Sequence, residues 1–241
     1  MKVFFPLFLL FLAGNCQAAE HAPGLEVKNI TEGVYLHTSY KHIEGYGVLD
    51  SQGLIITRGT DAYLVDTPWS TQDTEDLLGW LDEHGLDLQA SISTHWHDDR
   101  TAGIGLLNDR GVATYASTLT NRELQKRGLA KATHTFETTE FDLLENHIEV
   151  FYPGPGHSED NLVVWLPKQK ILFGGCLLRS LDWHSPGNLA DANLDEWGNS
   201  ILRLQHNYRD IHMVIPGHGE AGGDDLLRHT LFVVNSALRT R

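Results

Sequence analysis

The sequence has few basic residues, few cysteines and no long apolar run, and each shortage narrows what the protein can be. Its 241 residues contain 18 Lys and Arg against 32 Asp and Glu, which gives a formal net charge of -14. That balance argues against a nucleic-acid partner, because phosphate backbones are bound by clustered Lys and Arg. We expect the charge to keep the protein soluble. The apolar stretch at residues 3–12 is too short to span a bilayer.

The N-terminus nevertheless has the pattern of a cleaved signal peptide. One positive charge at Lys2 precedes the apolar stretch, and small residues follow it as far as Ala18. This order is typical of secretory signal peptides, so we expect residues 1–18 to be removed on export and the mature protein to be periplasmic. The alternatives are a retained membrane anchor or a buried N-terminal strand.

The two cysteines have different expected fates. Asn15 separates Cys16 from the small residues that a lipoprotein signal places directly before its cysteine, so we expect no stable membrane association. If Cys16 leaves with the signal peptide, Cys176 has no disulfide partner in a compartment that favours disulfides. A lone thiol there is either buried and inert or used in chemistry. No linker-like composition divides residues 19–241, which we expect to form one domain.

The order of predicted elements indicates an α/β fold. Partial alternation of apolar and polar residues between Gly-rich and polar turns predicts strands at residues 25–30, 34–39, 47–50, 54–57, 62–65, 88–94, 112–116, 148–152, 162–166, 171–175 and 213–216. Helical spacing of apolar residues predicts helices at residues 70–83, 102–108, 119–127, 194–208 and 224–238. Since each half of the chain runs from strands into helices, we expect two stacked sheets with helices on their outer faces.

Six side chains of metal-binding type follow strand ends or lie in Gly-rich turns. They are His95, His97, Asp99, His157, Cys176 and His218. Glycine beside a ligand lets the backbone approach closely, and loops on a rigid scaffold are where sites usually form. The run HWHDDR at residues 95–100 indicates a metal site, because imidazoles and carboxylates otherwise gain little by clustering. Taken singly, a Gly-His pair is an ordinary turn, and Cys176 is a small buried apolar residue.

In their order and spacing, these six residues resemble the ligands of the class B metallo-β-lactamases. More narrowly, they resemble the first subclass, which has two zinc ions and a cysteine ligand. The resemblance extends to DTPW at residues 66–69, GGC at residues 174–176 and GNLADAN at residues 187–193, and it covers essentially the whole mature chain. It implies an αββα sandwich, in which two mixed β-sheets are flanked by helices.

Three positions distinguish the first subclass from its relatives. Thioesterases of the glyoxalase II type and tRNA-processing nucleases usually carry a second His after the Asp and a bridging Asp at the cysteine position. This chain has Arg100 and Cys176 there. The mono-zinc subclass replaces the first His by Asn, whereas His95 is intact, and the third subclass generally lacks the cysteine ligand.

The resemblance implies a mechanism as well as a ligand set. The six ligands form two zinc sites, with His95, His97 and His157 in the first and Asp99, Cys176 and His218 in the second. A metal-bound hydroxide, oriented by Asp99, attacks the amide carbonyl of the β-lactam ring in penicillins, cephalosporins and carbapenems, and this hydrolysis confers antibiotic resistance. Asn188 contacts the carbonyl and stabilises the oxyanion that develops.

Further residues are expected to bind substrate or support the metal loop. Arg179 stands where many relatives have a Lys for the substrate carboxylate; its alternative is a solvated surface charge. Tyr46, in a hairpin flap expected at residues 40–46, would offer an aromatic face to the substrate, or is simply an exposed aromatic. Arg100 and Asp66 are expected to hold the metal loop from behind, although Asp66 has a simpler alternative role in ending a strand.

Two other functions remain open from the sequence. One is another hydrolase on the same fold, acting on a thioester, lactone or phosphodiester, against which Arg100 and Cys176 argue. The other is a zinc-binding protein without catalysis, against which the open coordination position of a three-histidine site argues. We expect a monomer whose partner is a small β-lactam.

Overall fold

A computed structural model describes residues 22–240 of the protein, and its strands form two sheets. The first sheet contains β1 (Glu26–Thr31), β2 (Val34–Ile43), β3 (Gly47–Arg58), β4 (Asp61–Val65), β5 (Asp87–Ser93), β6 (Ala113–Ser117) and β7 (His134–Phe136). The second contains β8 (Glu140–Leu144), β9 (Ile148–Phe151), β10 (Val163–Leu166), β11 (Ile171–Gly175) and β12 (Met213–Pro216). The first sheet runs in sequence order, whereas the second has the order β12-β11-β10-β9-β8. Both sheets are mixed, because β4 to β7 pair in parallel, as do β11 and β12, and the remaining pairs are antiparallel.

The helices of the described residues are α1 (Thr71–Glu83), α2 (Asp98–Thr101), α3 (Ile104–Asp109), α4 (Thr118–Lys126), α5 (Leu194–Asn207) and α6 (Asp225–Arg239). Side-chain caps fix three of their starts: Ser70, Ser117 and Asn193 each accept a hydrogen bond from the backbone N–H three residues later. The helix predicted at residues 102–108 begins at Ile104, and the separate turn α2 precedes it. Among residues 22–240, no helix is long and apolar enough to cross a bilayer.

Alternate residues of the central strands face different layers of the molecule. In β3, Leu54 and Ile56 join the core between the two sheets, while Ile55 packs beneath α1 and α3. In β11, Phe173 faces the inter-sheet core and Leu172 packs against α5 and α6. Both faces of these central strands are therefore buried, as the two-residue period of a strand allows. The predicted αββα sandwich of two mixed sheets flanked by helices is confirmed.

One strand is longer than the sequence predicts. The segments predicted separately at residues 47–50 and 54–57 form the continuous β3, whose middle pairs with β2. Gly53 lies opposite His37 in that ladder, and a Cβ atom on Gly53 would be only 2.2 Å from His37 Nε2. Glycine is needed here because the imidazole fills the space beside the strand. Two short strands, β7 and β8, have no counterpart in the predicted elements.

The metal-binding side chains gather at one edge of the sandwich because of how the strands end. The first sheet contributes the run at residues 95–100, directly after β5, and the second contributes His157 from the loop between β9 and β10. Cys176 directly follows β11, and His218 lies two residues beyond β12. Since β11 and β12 are parallel, their carboxyl ends meet at the same edge. Loops from both sheets therefore reach one site.

Candidate metal centre

Three imidazoles converge at this edge of the sandwich. His97 Nδ1 lies 3.1 Å from His95 Nε2 and 3.1 Å from His157 Nε2. Burial lowers the pKa of His95 and of His157 well below the usual value, and neighbouring cationic groups add to this effect. Both rings are therefore neutral, which is the form of imidazole that binds metals. Three ring nitrogens this close together fit one cation.

A thiol, a carboxylate and a fourth imidazole form a second cluster beside the first. Cys176 Sγ lies 3.4 Å from Asp99 Oδ2 and 3.3 Å from His218 Nε2, and His218 Nε2 lies 3.3 Å from Asp99 Oδ2. Ligand atoms of Asp99 and Cys176 also come within 4.8 Å of one on His95, so the two clusters adjoin. Burial lowers the pKa of His218, but Cys176 and Asp99 outweigh burial and raise that pKa to about 10. Sulfur, nitrogen and carboxylate donors together are a set that zinc accepts.

A fully buried cation, Arg100, lies behind the second cluster. Its Nη2 atom is 2.8 Å from Asp99 Oδ2, and it donates hydrogen bonds to Cys176 Sγ at 3.1 Å and to the Gly217 carbonyl at 3.0 Å. Its Nη1 atom donates to the Gln52 carbonyl. Burial alone would raise the pKa of Asp99, but Arg100 holds it well below the usual range. Asp99 is therefore an ionised carboxylate in a fixed orientation.

Asp66 supports the loop that carries the histidines. It follows β4 with a φ of 60°, and its carboxylate accepts hydrogen bonds from the Thr94 backbone N–H at 2.6 Å and the Thr94 hydroxyl at 2.9 Å. His37 Nε2 contacts the Asp66 carbonyl at 3.0 Å, and Arg100 Nη1 lies 3.4 Å from the carboxylate. Burial raises the pKa of Asp66 to about 7, although Arg100 and Thr94 oppose the shift. Asp66 thus both ends a strand and holds Thr94, the residue before His95.

Two of the clustered imidazole rings, those of His97 and His218, are fixed by contacts on the side away from the cluster. His97 Nε2 lies 3.1 Å from Asp191 Oδ2, and His218 Nδ1 lies 2.5 Å from the Asp50 carbonyl. With a metal on the opposite nitrogen of each ring, these nitrogens would carry the proton and donate it to the oxygen. Such outer contacts fix the tautomer and orientation of a ligating imidazole.

A cleft of about 410 Å³ opens over both clusters. Its floor includes His97, Asp99, His157 and His218, and its walls are largely aromatic. The walls include Tyr46, Trp69, Trp96, Leu129 and Trp183. An apolar cleft with a few convergent polar groups at its base is the usual form of a small-molecule site.

The family model described as the metallo-beta-lactamase superfamily matches residues 46–218, a span that includes all six metal-binding side chains. The chain belongs to this superfamily.

Individual relatives in the superfamily are similar along most of the chain. A metallo-beta-lactamase type 2 from Pseudomonas aeruginosa is 44% identical over 230 residues, which are 95% of this chain and 92% of the relative. One from Bacteroides fragilis is 34% identical over 90% of this chain and 88% of its own length. The crystal structure of the DIM-1 metallo-beta-lactamase exposed to ceftazidime superposes with a TM-score of 0.89 at 45% identity, covering 90% of this chain and all of that one. The predicted resemblance to the first subclass of class B is confirmed.

Within this metallo-β-lactamase, the structure places the predicted substrate residues at the cleft. Asn188 lies on its rim, where its Oδ1 atom accepts the Ala190 backbone N–H at 3.0 Å. Tyr46 is 60% exposed at the turn of the β2–β3 hairpin, whose connecting turn is shorter than the flap predicted at residues 40–46. Arg179 also lines the cleft but is only 4% exposed, so the alternative that it is a solvated surface charge is wrong.

Arg179 already has partners inside the protein. Its Nη2 atom donates to the Pro186 carbonyl and lies 3.4 Å from His157 Nδ1. The guanidinium carbon lies 5.5 Å from the ring centres of both Trp183 and Trp197. Burial lowers the pKa of Arg179 from its ordinary value. A buried cation at the base of the cleft is suited to an anionic group of a substrate, provided that group reaches it.

Sequence reasoning did not identify Asp191 or Asp98 as parts of the site. Asp98 accepts a hydrogen bond from Trp69 Nε1 at 2.9 Å and pairs with Lys41 Nζ at 2.6 Å, which joins the β2 strand to the metal loop. Asp191 lies in the GNLADAN segment that carried part of the family resemblance, and this is the one signal that could have drawn attention to it. Its contact with His97 spans 94 residues of sequence.

Proposed function

We propose that this protein hydrolyses the ring amide of β-lactams, including penicillins, cephalosporins and carbapenems, with two zinc ions, and so confers antibiotic resistance. The observation that carries the proposal is the pair of adjoining clusters under one cleft. The first combines three histidines and the second an aspartate, a cysteine and a histidine. The similarity to relatives named metallo-beta-lactamase type 2 supports both the reaction and the substrate class.

The donor chemistry fits two zinc ions. His95, His97 and His157 would hold one zinc, and Asp99, Cys176 and His218 would hold the other. Zinc, when bound, acts as a Lewis acid that acidifies water and polarises a carbonyl. The chain offers three imidazole nitrogens in one cluster and a thiol, a carboxylate and an imidazole in the other, and Arg100 lies 2.8 Å from the Asp99 carboxylate of the second cluster.

The chain's own residues have distinct parts in the hydrolysis. Asp99 is ionised and held by Arg100, so its carboxylate can orient a water molecule and accept its proton. Asn188 uses its Oδ1 atom to fix the Ala190 backbone, which leaves its amide N–H groups to donate to the ring carbonyl as negative charge develops there. A carbon–oxygen bond forms, the ring carbon–nitrogen bond breaks, and the proton is transferred to the nitrogen.

Arg179 supplies the positive charge for the carboxylate of the substrate in this proposal. The side chain is buried at the base of the cleft, where the charge is poorly screened and a carboxylate interaction is correspondingly strong. The planar guanidinium can bind a carboxylate through two N–H groups, whereas a lysine presents a single point charge. Tyr46, at the turn of the β2–β3 hairpin, would cover the side of the substrate opposite Arg179.

The cellular setting is part of the same proposal. Removal of residues 1–18 would release residues 19–241 as a single monomeric domain in the periplasm. The signal segment lies outside the described residues, and so does Cys16. Cys176 is buried beside Asp99 and His218, which supports a role as ligand for this unpaired thiol. N-terminal sequencing of the protein from a periplasmic extract would give a start near residue 19, and an intact Met1 would contradict export.

The decisive experiment is steady-state hydrolysis of one penicillin, one cephalosporin and one carbapenem by the purified protein. Activity should disappear after EDTA treatment and return when zinc is added. Activity that resists chelation would contradict a metal-dependent reaction. A zinc-loaded protein that opens no β-lactam would instead favour a hydrolase for thioesters, lactones or phosphodiesters.

A further inference from the structure

We propose that Arg127 is a positioning residue for His97 and thereby sets the metal affinity of the three-histidine cluster. This inference rests on the proposed function, because it assumes that the cluster holds zinc. Arg127 caps the carboxyl end of α4, outside the six-ligand set and outside the lining of the cleft. It nevertheless contacts both groups that flank the His97 ring, namely Trp96 and Asp191.

The first contact is with the indole beside the ligand. The guanidinium carbon of Arg127 lies 3.5 Å from the ring centre of Trp96, which is the distance of a stacked cation. The Trp96 ring in turn meets the His97 ring edge-on, with centroids 4.3 Å apart and an interplanar angle of 72°. Arg127 therefore stacks on the same indole that lies against the His97 imidazole.

The second contact is with the carboxylate that orients the ligand. Asp191 Oδ2 lies 3.1 Å from His97 Nε2, and Asp191 Oδ1 lies 3.9 Å from Arg127 Nη2. The two carboxylate oxygens are thus divided between the imidazole and the guanidinium. Because Asp191 is about one-third exposed, an unpaired carboxylate there would be free to rotate towards water. The cation favours the rotamer in which Oδ2 faces His97.

Arg127 is itself fixed at its other end. Its Nη1 atom donates to Glu123 Oε2 at 2.5 Å and to the Glu123 carbonyl at 3.2 Å, one helical turn earlier. The guanidinium is therefore bound through Nη1 by α4, through its face by Trp96, and through Nη2 by Asp191. An isolated, exposed ion pair contributes little to the free energy of folding, because both side chains must be ordered to form it. Here the ordering is shared among three partners, and the guanidinium plane permits all three contacts at once.

Metal titration of the full-length mature protein tests the inference without relying on hydrolysis. Cobalt would be added to metal-free protein, because its absorption spectrum distinguishes the two sites. Cobalt at the Cys176 site gives a thiolate charge-transfer band, whereas cobalt at the three-histidine site gives visible bands alone. Zinc affinity would be measured in parallel by competition with a chelator. The variants are Arg127→Leu, Arg127→Lys, Asp191→Asn and the double variant of Arg127→Leu with Asp191→Asn. Arg122→Leu, an exposed arginine on the same helix, is the matched control.

Arg127→Leu should weaken metal binding at the histidine site by roughly three- to tenfold. This is less than the 10- to 100-fold expected for Asp191→Asn, which removes the direct partner of the ligand. The thiolate charge-transfer band of the Cys176 site should rise with added cobalt as it does in the unmodified protein. Arg127→Lys keeps the positive charge but removes the planar guanidinium, so it should cause an intermediate loss of metal affinity. Arg122→Leu should change nothing, and equal melting temperatures of the metal-free variants would show that they fold alike.

Two results would overturn the inference. One is an unchanged or increased metal affinity in Arg127→Leu. The other is a full additional loss when Arg127→Leu is combined with Asp191→Asn, since only the contact with Trp96 is left for Arg127 to act through once that carboxylate is gone. An unmodified protein that binds metal but opens no β-lactam would contradict the proposed function alone. One that binds no metal would contradict both.

Discussion

Arg100 Nη2 lies 2.8 Å from Asp99 Oδ2, and both side chains are buried beneath the second metal cluster. Taking two charges out of water costs several kcal/mol per ion, and their attraction offsets this only when the geometry is good. The contacts of Arg100 with Cys176, Gly217 and Gln52 provide that geometry. The Arg100–Asp99 pair therefore contributes more to the orientation of the Asp99 carboxylate than to the stability of the fold.

Removing the cation should leave a buried negative charge without compensation. Arg100→Met is expected to destabilise the metal-free protein by about 3–5 kcal/mol, because breaking a buried pair strands its partner. Urea unfolding in the presence of a chelator measures the change. Arg110→Met, which breaks the exposed pair with Glu75, is the matched control and should cost about 1 kcal/mol or less. Equal losses in the two variants would contradict the buried role of Arg100.

Replacing the thiol should empty one site. Cys176→Ser is expected to reduce the bound zinc from two ions to one per chain, because a serine hydroxyl is a poor ligand where a thiolate is lost. Elemental analysis after dialysis against a low zinc concentration measures the content. His184→Ala removes an exposed histidine outside the ligand set and should keep two ions. Two ions retained by Cys176→Ser would show that the cysteine is not a ligand.

Shortening Arg179 should affect substrate binding more than turnover. Arg179→Ala is expected to raise KM more than it lowers kcat, because an interaction made equally in the bound substrate and the transition state acts on KM. Steady-state kinetics on a cephalosporin give both constants. Arg228→Ala, at an exposed ion pair with Asp224 on α6, is the control. If Arg179→Ala leaves KM unchanged, another group binds the substrate carboxylate.

Mild acid should weaken the fold through His37. Burial lowers the pKa of His37 to about 4, although contacts with the Asp66 and Val65 backbone oppose the shift. Since the unfolded chain has the higher pKa, near 6.5, it binds the extra proton, and stability is lost as pH falls from about 6.5 to 4. The shift corresponds to about 3 kcal/mol.

The test compares pH slopes between variants. Asp66 acts in the opposite direction, because its raised pKa makes the native state the better proton binder between about 4 and 7. Urea unfolding of metal-free protein at pH 4.5 and pH 7 should therefore be measured for the unmodified chain and for His37→Leu. The variant should lose less stability on acidification. An identical loss in both proteins would remove His37 as the cause.

Much of the site could be predicted because its signals are local in sequence. Each of these signals lies within a short stretch of the sequence. They are the HWHDDR run, the glycines beside Cys176 and His218, and the helical spacing of apolar residues in α5 and in α6. The sandwich could be inferred from the order of strands and helices. The ligand roles stay predictions until metal is measured.

The unpredicted features depend on contacts between distant segments. Asp191 reaches His97 across 94 residues, and Lys41 reaches Asp98 across 57, so nothing near either residue signals its partner. The continuity of β3 depends on the fit of His37 against Gly53, which becomes visible only when β2 is paired with β3. The buried Arg179 likewise lies near Trp197, which is far from it in sequence, as well as near the closer Trp183.

The six metal-binding side chains come from both halves of the sandwich, so a metal bound there would have a mechanical consequence. Zinc bound to His95 and His157 would fasten the end of β5 in one sheet to the loop after β9 in the other. Separating the sheets would then require release of the ion. A ligand that binds only the native state at 100 times its Kd adds about 2.7 kcal/mol to the free energy of unfolding. The resistance of this protein to heat would therefore follow the supply of free zinc in its surroundings.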